Sequence, residues 1–154
     1  MMVTGHLVLP SHAGGDLDAL LRREGGVRAG QVQGIARQLP QGVAAVHEEG
    51  IVHGDIKPSN VLLRDEECRS AVLADFDVSH DSASRTTTSV QMGTRDWTSP
   101  ELHVRGARAT TASDMYACGL VLRALRKAVM QDDDDDDEDD GAHLSAALVA
   151  SLTQ

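Results

Sequence analysis

Three side chains of complementary chemistry lie close together in Val52-His53-Gly54-Asp55-Ile56-Lys57-Pro58-Ser59-Asn60-Val61-Leu62-Leu63. Asp55 can accept a proton from a hydroxyl. Lys57 can neutralise a phosphoryl oxygen, and Asn60 offers a neutral oxygen to a hard divalent cation. Taken singly, an Asp, Lys or Asn is surface decoration more often than machinery. Their spacing, on a short loop before an apolar run, makes the set specific.

Such a loop needs rigid elements on both sides. Val61-Leu62-Leu63 and Ala71-Val72-Leu73 flank a polar turn containing Asp65, Glu66 and Glu67, which predicts a hairpin with two apolar arms. Its second arm leads into Asp75-Phe76-Asp77. Upstream, Val32, Ile35, Leu39, Val43 and Val46 recur at helical spacing and predict a buried-face helix over 31–48, stopped by Gly50. Pro40 is an internal fault there, costing about 3 kcal/mol unless the helix kinks. Downstream, Met115, Cys118, Leu122, Leu125 and Val129 predict a second buried-face helix from Asp114 onward, with Thr111 and Asp114 spaced as a capping box.

The outer segments are plainer. Leu7-Val8-Leu9 is a strand candidate, and Asp16 can cap a short helix carrying Leu17, Leu20 and Leu21. Residues 79–93 are polar and rich in Ser and Thr, with hydroxyls at 86–89, and are expected to be a mobile surface segment. Residues 144–152 read as a short helix with no obvious partner.

Composition narrows the classes. Net charge is -10, but nine of the 24 acidic residues lie in 132–140, leaving a nearly neutral body with no basic field for nucleic acid. That run reads as a solvated linker, because like charges repel and no cation interrupts them. Cys68 and Cys118 suit neither a disulfide framework nor a metal cluster, and read as small apolar fillers in a reducing compartment. No apolar run approaches the length of a membrane span, and the N-terminus lacks a basic segment leading into an apolar one. An intracellular, cytoplasmic protein is expected.

The loop resembles the catalytic loop of serine/threonine protein kinases, H-x-D-x-K-P-x-N. Asp75-Phe76, Gly93-Thr94, Ser99-Pro100-Glu101 and Ser113-Asp114 follow in kinase order, so the resemblance covers roughly residues 5–129. It implies a mainly helical α+β fold: a partial kinase large lobe with a short β-hairpin carrying the metal-binding aspartate. The implied boundaries are a partial kinase domain at 1–130, an acidic linker at 131–141 and a short helix or tail at 142–154. The 13–21 region would be the hinge and first large-lobe helix, although its Gly14-Gly15 pair also reads as plain glycine linkage.

The resemblance also implies roles. Asp55 would orient and deprotonate the acceptor hydroxyl, Lys57 would neutralise the transferred phosphate, and Asn60 and Asp75 would hold Mg²⁺ for ATP. Thr94 would link Asp55 to Lys57. Asp114 would support the loop backbone, with His53 and Phe76 as packing residues. The implied partner is a protein substrate or binding partner.

Departures from the family pattern set further expectations. Gly54 replaces an arginine that in many kinases reads a phosphorylated activation loop. Asp77 replaces a glycine, adding charge beside the metal ligands and restricting the backbone. The sequence has no glycine-rich phosphate loop, no upstream strand lysine and no arginine for Glu101, whose carboxylate is expected exposed or unpaired. The expected function is ATP-dependent phosphoryl transfer to protein Ser or Thr by ancestry, silent in this truncated chain. A catalytically silent adaptor is the alternative. Helix faces left bare by the missing parts would favour self-association.

Overall fold

A twenty-residue helix, α2 (Ala29–Glu48), is the back wall of the computed structural model, which describes residues 12–23, 27–65, 67–83, 95–104 and 106–130. Val32, Ile35, Ala36, Leu39 and Val43 recur on one face of α2 and are buried. Pro40 lies inside the helix, which nevertheless runs unbroken to Glu48. Gly50 ends it as expected: its φ is +72°, and its N–H donates to the His47 carbonyl at 2.9 Å. That left-handed geometry suits glycine and turns the chain back.

A second twenty-residue helix, α3 (Thr111–Met130), packs against α2. Ala117, Cys118, Val121, Leu125 and Val129 of α3 join Val32, Ile35, Leu39 and Val43 of α2 in one core. Two details correct the sequence reading. The capping pair is Thr110 with Ser113: Ser113 N–H donates to Thr110 Oγ1 at 3.2 Å, and Thr110 N–H donates to Ser113 Oγ at 2.8 Å. Asp114 turns its carboxylate to the loop backbone instead. Met115, expected on the buried face, is exposed, because it lies about 100° around the helix from the core stripe.

Short strands carry the loop between these helices. β1 (Ile51–Val52) follows α2, and β2 (Val61–Leu63) pairs antiparallel with β3 (Ala71–Leu73), as the hairpin pattern predicts. The register sets Val61 opposite Leu73 and Leu63 opposite Ala71. β4 (His80–Asp81) pairs antiparallel with β1, so part of the polar 79–93 stretch is strand. Two residues carry no readable period, and the pairing comes from backbone groups alone. Ahead of α2, α1 (Leu17–Leu21) is capped by Asp16, whose Oδ1 accepts from Ala19 N–H at 2.8 Å. Residues 7–9, 84–94 and 131–154, with their expected strand, hydroxyl cluster, acidic run and closing helix, lie outside the described residues.

Polar side chains of α2 hold the hairpin where the apolar pattern gives no hint. Gln31 Nε2 donates to the Glu67 carbonyl at 2.9 Å. Gln38 donates to the Arg69 carbonyl and accepts from Ala71 N–H, both at 3.0 Å. Gly34 lies between the two glutamines on the same face, and a Cβ there would overlap the Arg69 carbonyl oxygen. Gly42, a little over two turns further on, has open space around it. Gly34→Ala should therefore lower stability by about 2 kcal/mol through overpacking. Gly42→Ala should raise it by up to about 1 kcal/mol through helix propensity. Urea unfolding of the two variants measures both, and equal effects of one sign would contradict this packing.

Candidate active site

The loop from His53 to Asn60 alternates its anchors and its tools. Ile56 and Pro58 are buried, whereas Asp55 and Lys57 are only partly covered. Lys57 Nζ contacts Asp55 Oδ2 at 2.6 Å. Asn60 Nδ2 donates to the same oxygen at 3.1 Å and to the Asp55 carbonyl at 2.8 Å. The three sequence candidates thus converge on one carboxylate oxygen. Asp55 Oδ1 and Asn60 Oδ1 accept no hydrogen bond among the described residues.

The loop is held from behind by Asp114, which is buried on α3. Its Oδ2 accepts from His53 N–H at 2.8 Å and meets His47 Nε2 at 2.9 Å. Its Oδ1 accepts from Gly54 N–H at 2.9 Å. One carboxylate therefore ties α2, α3 and the loop together. Charge-assisted bonds of this kind are about twice as strong as neutral ones. Gly54 takes a φ of +80°, a left-handed geometry that glycine adopts at no steric cost.

His53 joins the loop to the strand end. The ring is fully buried, with Nε2 facing the Ala74 carbonyl at 3.0 Å and Nδ1 facing Asp55 N–H at 3.3 Å. A neutral ring carrying its proton on Nε2 satisfies both contacts. His53 also meets Phe76 edge-on, with ring centroids 4.6 Å apart. Ala74 N–H donates to the Asn60 carbonyl at 2.9 Å, which sets Asp75 beside the loop. Asp75 is exposed at a φ of +64°, and its carboxylate has no hydrogen bond among the described residues. The left-handed residue of Asp75-Phe76-Asp77 is therefore Asp75, so the side chain of Asp77 meets no positive-φ restriction.

The donor set fits a hard cation in part. Asn60 Oδ1 and the Asp75 carboxylate are the available oxygens. Among the described residues no group of three or more His, Cys, Asp or Glu gathers to hold a metal alone. Mg²⁺ commonly takes one or two protein oxygens and completes its shell with phosphate and water.

This arrangement has counterparts. A model of the protein kinase domain matches residues 3–151. The chain belongs to the protein kinase family. Serine/threonine-protein kinase PknL of Mycobacterium tuberculosis is 37% identical over 121 residues, covering 77% of this chain and 30% of that protein. A calcium/calmodulin-dependent serine/threonine-protein kinase of Malus domestica is 36% identical over 122 residues, covering 78% and 29%. Serine/threonine-protein kinase RUNKEL of Arabidopsis thaliana is 36% identical over 118 residues, 75% of this chain and 8% of that protein. The kinase chain described here thus spans less than a third of each of these relatives.

Other kinase-motif positions are distributed as follows. Glu101 is exposed and makes no ion pair among the described residues. Thr94 lies outside the described residues. The sequence reading missed the clamp on β4. Arg108 Nη2 donates to the Asp81 carbonyl at 2.8 Å, and His80 Nε2 meets the Ala109 carbonyl at 3.2 Å. Neither contact leaves a spacing signal, because the acceptors are backbone oxygens.

Replacing Asp114 with Asn keeps one acceptor and turns an amide donor toward the other contacts. Asp114→Asn should cost about 3 kcal/mol in urea unfolding and speed amide exchange at His53 and Gly54. Unchanged exchange there would sink the role of this carboxylate. Cys118, one turn along α3, has its thiol pushed up to about 11 from 9.0 by burial, with a smaller contribution from the Asp114 carboxylate. The folded state thus holds this proton where the unfolded state loses it. Stability from this source is present below pH 9.0 and declines toward pH 11. Cys118→Ala should flatten that decline in a pH series of unfolding midpoints.

Proposed function

We propose that residues 52–75 form the acceptor- and metal-handling half of a site that moves the γ-phosphoryl group of ATP to serine or threonine hydroxyls of proteins. We also propose that these 154 residues do not turn over by themselves. The observation that carries the reading is the shared oxygen: Asp55 Oδ2 holds both Lys57 and Asn60, and Oδ1, which accepts no hydrogen bond among the described residues, can face an incoming hydroxyl.

Each residue then has a task set by its chemistry. Asp55 orients the acceptor hydroxyl and takes its proton as the oxygen attacks. Lys57, held beside it, offsets the charge of the phosphoryl group being transferred. Asn60 Oδ1 and Asp75 would hold Mg²⁺, which when bound neutralises the triphosphate. Thr94 would link Asp55 and Lys57, as the family resemblance implies. His53 and Phe76 keep Asp75 beside the loop through the Ala74 carbonyl and the ring contact. Phosphoryl transfer needs placement and charge neutralisation more than covalent chemistry, and this loop offers both.

The silence of the 154 residues has a compositional cause. Lys57 and Lys127 are the only lysines, and no G-x-G run of any kind occurs. Among these 154 residues no lysine precedes the loop to grip the α- and β-phosphates in the way the family does. A catalytically silent binding role is the second reading. It is favoured by Gly54, which has no side chain to read a phosphate, and by the acidic run.

Two measurements on the purified chain test the proposal. Radiolabelled transfer from Mg-ATP to a basic protein substrate should not exceed that of Asp55→Asn; transfer lost only in the variant would overturn the silent half. Mn²⁺-ATP should broaden the amide signals of Asn60 and Asp75, with affinity about tenfold weaker in Asp75→Asn. Equal broadening in both proteins would overturn the metal assignment. Salt-sensitive capture of a basic protein that persists in Asp55→Asn would move weight to the binding role.

A further inference from the structure

Among the described residues, Gln38 is the one polar tie between α2 and the strand that leads to Asp75. Its Nε2 donates to the Arg69 carbonyl and its Oε1 accepts from Ala71 N–H, both at 3.0 Å, so one amide holds two backbone groups where β3 begins. Gln31, about two turns earlier on α2, reaches only the Glu67 carbonyl in the hairpin turn. Pairing with β2 fixes β3 sideways, with Val61 opposite Leu73 and Leu63 opposite Ala71. Gln38 fixes it against the helix.

Packing does less of this work further along. An open hollow of about 240 Å³ lies between the two elements, lined by Gly42 and Val46 of α2 and by Leu73 and Phe76. A Cβ on Gly42 would meet no atom within 4 Å, and Phe76 is 40% exposed. Side chains that do not touch across a gap forfeit their attraction. The far end of β3 therefore takes its position largely from hydrogen bonds. Ala74 N–H donates to the Asn60 carbonyl at 2.9 Å at that end, and Gln38 holds the near end. Asp75 comes directly after Ala74.

We propose that Gln38 is a positioning residue for the Asp75 carboxylate. By holding the Arg69 carbonyl and Ala71 N–H against α2, it sets where β3 ends, and so where Asp75 stands relative to Asn60. The proposal rests on the reading of Asn60 and Asp75 as metal-holding groups, and adds a residue of α2 to that task. Gln38 acts through the strand and not by contact with the metal. An amide oxygen and a carboxylate share one cation only at a suitable separation, so a small shift of the strand is felt as lost affinity.

The test uses Gln38→Met in the full chain, which removes both hydrogen bonds at nearly unchanged volume. Amide exchange at Ala71 and Ala74 should speed about tenfold. Val121, buried in the core of α3, reports any general loss of stability. Broadening of Asp75 by Mn²⁺-ATP should show affinity about threefold weaker than in the unaltered chain. Gln31→Met is the control: it removes the turn contact and should leave both Ala74 exchange and Asp75 broadening unchanged. Gln38→Asn carries the same amide one methylene short of both groups, and gives the same result where Gln38→Met does not fold. Equal loss of affinity in the Gln31 and Gln38 variants, or exchange at Ala74 that merely follows Val121, would overturn the proposal. No broadening in the unaltered chain would overturn the metal reading and the metal half of this proposal with it. Exchange at Ala74 would still decide whether Gln38 sets the strand.

Discussion

A buried carboxylate on α3 organises the molecule. Asp114 accepts from two consecutive loop amides and meets a histidine of α2, so the loop can be in place only when both helices are packed. The cost of burying a charge is large unless its lone pairs are filled. Here three partners fill them, two adjacent amides of the loop and one histidine of α2. The core shared by α2 and α3 brings the donors together, and the carboxylate turns that packing into a defined loop position.

The hairpin depends on α2 in a second way. Gln31 and Gln38 satisfy backbone groups at its turn, and Gly34 lets the Arg69 carbonyl come against the helix. The strand β3 then ends at a fixed height. Ala74 is held from two sides, by the Asn60 carbonyl and by His53, and Asp75 follows at a positive φ. A non-glycine residue in that conformation is uncommon, and it is tolerated where the surroundings over-determine the backbone. The result is an exposed carboxylate set beside Asn60 by hydrogen bonds on the residue before it.

Membership of the protein kinase family and the geometry of residues 53–75 point the same way, yet they bear on different links of the argument. The family accounts for which residue types occur and in what order. The geometry accounts for how Lys57 and Asn60 come to share one oxygen of Asp55. The lysines of these 154 residues are Lys57 and Lys127, and only Lys57 lies in the loop.

Much of this was legible from residue order alone. The two long helices, the hairpin, the Asp16 cap and the Gly50 stop follow from local rules of period and backbone preference, which act over a few neighbouring residues. The clustering of Asp55, Lys57 and Asn60 was legible for the same reason, since a short loop limits how far they can separate. What sequence missed depends on partners far along the chain. Met115 was misplaced because a helical period gives a stripe but not its edge, which the packing of α2 sets. Thr110 and Ser113 displaced the expected capping pair because Asp114 was already committed to His53 and Gly54. The β1–β4 pairing, the Arg108 clamp and the glutamine hooks rest on backbone acceptors, which every residue carries, so only the tertiary fold could choose among them.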